Sequence, residues 1–159
     1  MAKSSRSLRF DSLADMPAGM RAKAEMALAK QAPDVGGVIV IDLPIRTVLF
    51  NEFVRMHWAK RRKYCRRLAV LIHECASRRP AVPLQRCRVT VERFSTMVPD
   101  HDGLVGSLKS LLDALQPCSA RHPYGLGFIA DDSPACIGQP TTIHVPGREK
   151  RTRITIEPL

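Results

Sequence analysis

The chain has 159 residues, 45% of them hydrophobic and 25% charged, which suits one soluble domain with a sizeable core. Twenty-five lysines and arginines against fifteen acids give a formal net charge of +10, a bias toward nucleic acid or another anionic surface. No apolar run is long enough to span a bilayer, residues 1–10 lack a signal-peptide core, and the five cysteines form no C-x-x-C pair. These features argue against a membrane protein, a disulfide framework and structural zinc, and the expected location is cytoplasmic.

Residues 1–36 read as an N-terminal extension. Leu8, Leu13, Met16, Met20, Ala24, Ala27 and Leu28 could line a helix, and Pro33 with Gly36-Gly37 ends it. A single domain is expected over residues 37–159. Val38–Leu43 is β-branched and apolar, a strand stopped by Pro44. A long helix is expected from about Arg55 to Ser77. Its core residues would be Trp58, Leu68, Leu71, Ile72 and Cys75. Its outer face would be basic, with Lys60, Arg61, Arg62, Lys63, Arg66 and Arg67. Arg86–Phe94 alternates, with Cys87, Val89 and Val91 on one side, as a half-buried strand does.

Next comes the segment Pro99–Leu115. Asp100 and Asp102 open one Leu-rich helix that runs to about residues 115–117. At roughly 100° per residue, Asp102, Gly106, Lys109 and Asp113 share one stripe. Leu104, Val105, Leu108, Leu111, Leu112 and Leu115 share the other face. Residues 116–130 form a Pro- and Gly-containing loop that leads to Asp131-Asp132. Ala135–Ile137, Thr141–Val145 and Arg153–Glu157 are expected strands, with a hairpin turn at residues 147–150 joining the last two. The fold class is therefore α+β, with a mixed sheet packed by two main helices.

Two acids one residue apart point to the same side of an extended segment and can converge on one ion. Magnesium keeps several waters and takes only one or two protein carboxylates with substrate phosphate. Asp132 or its neighbour Asp131 could close such a site from the second segment. Lys109, about 10 Å along a helix from Asp102, could contact a phosphate or stabilise developing charge. Taken singly, each feature has a plainer use: a helix cap, a polar turn, a solvated lysine. Asp113, near a helix C-terminus, would pair structurally with an arginine. His101, between the acids, would be a bystander. Their joint occurrence in a +10 chain favours a metal site acting on a phosphodiester.

The pattern of Asp100, Asp102, Leu104, Lys109, Asp113-Ala114-Leu115, Gly127 and Asp131-Asp132 resembles the RusA-like Holliday junction resolvases. Leu43-Pro44, Asn51, Arg55 and His57-Trp58 before a basic helix are similar to that family's opening, so the resemblance runs from about Val38 to Pro158. It implies a homodimeric endodeoxyribonuclease, common in phages and prophages, that nicks four-way DNA junctions with magnesium or manganese in recombination and repair. By position, Asp100, Asp102 and Asp132 would be the catalytic, metal-holding acids, with Asp131 adjacent, and Lys109 the catalytic lysine. The Lys60–Arg67 face would track DNA phosphates. Gly103 stands where the family usually has Asn, so an orienting side-chain hydrogen bond is missing and activity could be reduced. The alternative from another class is a catalytically impaired DNA-binding protein that keeps the fold. An RNA-binding domain is weaker, since aromatics at 5% offer little base stacking.

Overall fold

The structure, a computed structural model, describes residues 37–159. All of them belong to one compact unit. The extension expected over residues 1–36 lies outside the described residues.

The fold is α+β. Strands β1 (Ile39–Leu43), β2 (Cys87–Ser95), β3 (Thr141–Pro146) and β4 (Thr152–Pro158) form a mixed sheet in the order β1-β4-β2-β3. β4 runs antiparallel to both β1 and β2, whereas β3 runs parallel to β2. The helices are α1 (Phe50–Arg55), α2 (Trp58–Cys75), α3 (His101–Gly106), α4 (Leu108–Leu115) and the short α5 (Pro134–Ile137).

Strict alternation makes the sheet two-faced. Ile39, Ile41 and Leu43 from β1, Cys87, Val89 and Val91 from β2, and Ile154 and Ile156 from β4 are all buried. They join Leu68 and Ile72 of α2 and Leu108, Leu111, Leu112 and Leu115 of α4 in one core. The opposite face is polar and neutralises itself across register partners. Asp42 opposes Arg153 and accepts from its Nε at 2.8 Å. Arg88 opposes Glu157 at 3.4 Å.

Several expectations need correction. The long basic helix is interrupted before it begins. α1 ends at Arg55, and His57 then caps α2 by accepting from the Ala59 N–H at 3.4 Å. Trp58 is not in the core but 68% exposed. The residues of α2 that are buried lie in its second half, so the helix start overhangs the packed region. The Leu-rich helix is two helices, divided at Ser107, and Val105 on the expected core face is exposed. Ala135–Ile137 is helical, not a strand, because Pro134 sits in the first turn and presets φ. Residues 147–150 are not a hairpin turn. β2 lies between β3 and β4, and the connection passes over its end, where Phe94 N–H donates to Arg151 O and Gly147 N–H to Ser95 O.

Candidate functional site

α3 and α4 carry the acidic segment past the end of β2. Asp100 is the N-cap of α3, and its Oδ2 accepts from the Gly103 N–H at 3.0 Å. Asp102 lies in the first turn, exposed, where the helix dipole favours an anion. His101 is exposed beside it. In the first turn of α4, Lys109 contacts Asp113 Oδ1 at 2.8 Å, the i,i+4 pair that helical spacing allows.

The second acidic segment is brought in by backbone. Leu126 N–H donates to Ala114 O, Gly127 N–H to Gln116 O, and Phe128 N–H to Leu115 O at 2.7 Å. Gly127 takes a left-handed φ of 74°, which lets the chain turn back onto α4. Leu84 N–H donates to Phe128 O and Ala130 N–H to Leu84 O, clamping the strand-like residues before the acids. The result is Asp132 Oδ2 at 3.3 Å from Lys109 Nζ.

Lys109 thus bridges Asp113 and Asp132. The Asp113 contact, then the Asp132 charge, raise its pKa, so it is an ammonium at every physiological pH. Asp131 points elsewhere. A hydrogen bond from Ser133 holds its carboxyl below the usual range, and it is exposed. Of the two neighbours it is Asp132 that meets the lysine. Asp113 pairs with Lys109 and lies 3.4 Å from His122 Nδ1, not with an arginine as expected.

No group of three or more His, Cys, Asp or Glu side chains able to hold a metal forms among the described residues. A largely hydrated magnesium asks for one or two carboxylates. Asp102 has no hydrogen bond or ion pair to a described residue, and Asp100 has one oxygen outside its cap bond. Asp102 is helical, so the shared side of an extended segment does not apply to this pair. Asp100 and Asp102 each keep carboxylate oxygens that suit one place on a hydrated divalent cation, and Asp132 is held by Lys109.

On α2, Lys60, Arg62, Lys63, Arg66 and Arg67 are exposed. Arg61 is not part of that face. Its guanidinium donates to Val54 O at 3.0 Å and lies 5.0 Å over the Phe53 ring, joining α1 to α2.

Sequence reasoning missed a cavity of about 250 Å³ between α2, α4 and the loop after α4. Trp58, Arg62, Asp113, His122 and Tyr124 line it. The loop is folded on itself, with Ser119 N–H and Gly125 N–H both donating to His122 O. No sequence spacing announces this site, because its walls lie some sixty positions apart.

A scan against protein-family models finds no match to this chain, and a search of the curated proteins finds none.

Proposed function

We propose that the chain is a magnesium- or manganese-dependent, structure-selective endodeoxyribonuclease that cuts four-way DNA junctions as a homodimer. The observation that carries this reading is the 3.3 Å contact between Lys109 and Asp132. It joins the two acidic segments that the sequence pattern pairs, although they lie 23 residues apart. The resemblance to the RusA-like resolvases and the exposed cations of α2 support the same substrate class.

The residues divide the work as follows. Asp100 and Asp102, joined by Asp132, would hold the divalent ion. When bound, it supplies charge relief on the phosphate and a more acidic water. Lys109 carries a fixed positive charge between two carboxylates. A phosphate oxygen arriving there takes over the ammonium's hydrogen bonds and frees Asp132. Asp113 keeps the lysine aimed from one turn below. Exposed cations of α2 hold the DNA arms by their phosphates, which reads shape and not sequence.

A synthetic four-way junction tests this, incubated with and without Mg²⁺ beside a linear duplex. Metal-dependent paired nicks on the junction are expected. Asp102→Asn abolishes them, a loss of at least about a hundredfold, while junction binding persists. A second reading is a DNA-binding protein without catalysis, motivated by Gly103 at the position where the RusA-like family usually has Asn. Tight junction binding with no nicking in either metal would decide for it.

A further inference from the structure

The cavity beside α2 belongs to none of the roles above except through Asp113. Its exposed lining is aromatic and cationic. Trp58 is the sole tryptophan of the chain and Tyr124 one of two tyrosines, so scarce aromatics are concentrated here. Arg62 donates its Nε to Tyr124 Oη at 3.1 Å, which orients the ring and leaves the terminal guanidinium nitrogens unspent. Arg121, exposed, has no partner among the described residues. Two nitrogens in the wall make no hydrogen bond: Arg61 Nε and His122 Nδ1 are shielded from solvent, and His122 Nδ1 has the Asp113 carboxylate 3.4 Å away, outside bonding geometry. Asp113 Oδ1 shares that geometric lack, but at 2.8 Å from Lys109 Nζ its charge is matched. Shielded, unpaired polar groups in a cavity call for a ligand that can meet them.

We propose that this cavity receives one unstacked nucleobase of a DNA strand, stacked against Trp58, with its phosphate at Arg62 and Arg121. A flat π-face is what an exposed indole and a guanidinium bind together. A base edge offers an acceptor to the Arg61 Nε donor. Asp113 links the cavity to Lys109, so a strand whose phosphate meets the lysine has a base within reach of this cavity. A branch point interrupts continuous stacking, so a base there costs less to unstack and displace. The proposal therefore rests on the reading of the chain as a protein of branched DNA.

Trp58 is its own reporter, because no other tryptophan contributes fluorescence. The full chain is titrated without divalent metal against four probes. They are inorganic phosphate, a nucleoside monophosphate, a fully paired duplex, and the same duplex carrying one unpaired base. The expected result is saturable quenching by the unpaired-base duplex at concentrations where the paired duplex and inorganic phosphate leave the signal unchanged. Anisotropy of the labelled unpaired-base duplex then reads the variants. Trp58→Ala and Arg121→Ala each weaken binding about tenfold, and Trp58→Phe restores most of it. Equal quenching by paired and unpaired duplexes overturns the proposal, as does quenching by the monophosphate alone. Because no metal is present, a failure of nicking cannot imitate a failure here. Intact nicking with no quenching would overturn the base cavity and leave the nuclease reading standing.

Discussion

Asp100 has two uses that a single substitution would confuse. Its Oδ2 caps α3 through the Gly103 N–H, and its other oxygen is free for a cation. Asparagine caps as well as aspartate, while alanine does not. Asp100→Asn should therefore keep stability within about 0.5 kcal/mol, and Asp100→Ala should lose about 1 kcal/mol, both read from urea midpoints. Both should abolish metal-dependent nicking. If Asp100→Asn nicks a junction at the parental rate, the carboxylate is only a cap. Gly103 takes on a different meaning in this geometry. A Cβ there would stand 2.6 Å from Asp100 Oδ1. The orientation expected from an asparagine side chain is supplied by the Gly103 backbone N–H, and the missing Cβ is what lets the carboxylate close on it.

Between elements, α1 packs closely on α3 at Gly106. A Cβ on Gly106 would stand 2.5 Å from Phe50 Cβ and 2.7 Å from its Cγ. Gly106→Ala must push α1 away, an overpacking cost of about 1–3 kcal/mol that outweighs the gain of up to ~1 kcal/mol in helix propensity. A lower urea midpoint is expected. Adding Phe50→Ala removes the ring contacts but keeps the Cβ at 2.5 Å, so the same glycine change should then cost less yet still lower the midpoint. Much of this layer was legible in advance. A β-branched apolar run gives β1, alternation gives β2, and leucine spacing gives the buried face of α4, whereas Asp113 was expected beside an arginine and pairs with Lys109 instead. What was not legible depends on distant partners. A turn between two strands has the same chemistry whether the strands pair or straddle a third, so the residues 147–150 connection was misread. Trp58 carries an apolar pattern that only the end of the packed region contradicts. Arg61 reads as one more surface cation until Phe53 and Val54 are placed beneath it. The cavity depends on a loop that returns to α4 by backbone bonds, which leave no trace in side-chain spacing.

For the molecule as a whole, the +10 charge is spread unevenly in effect, because some cations are already spent. On the polar sheet face Arg153 is held by Asp42 and Arg88 by Glu157. Arg151 is held by Glu149 at 2.9 Å and covers Phe94. From Trp58 to Val70, α2 carries no acid at all, and Lys60, Lys63 and Arg67 stand exposed along it. Free cations, not total cations, set the affinity for a polyanion, because each neutralised phosphate releases a counterion. The slope of log affinity against log salt therefore measures how many of these side chains reach DNA. Replacing Lys63 and Arg67 together by alanine should lower that slope by about 2 and weaken junction and duplex alike. Arg153→Ala should leave the slope unchanged, since its charge is already matched by Asp42. Arg61→Ala should instead lower the unfolding midpoint, because its guanidinium bonds α1 to α2. Anisotropy titrations of a labelled junction from 50 to 200 mM salt separate the three, over a range where multi-phosphate binding changes by orders of magnitude. A slope that follows Arg153 and ignores Lys63 and Arg67 would move the DNA to the polar face of the sheet and away from Lys109.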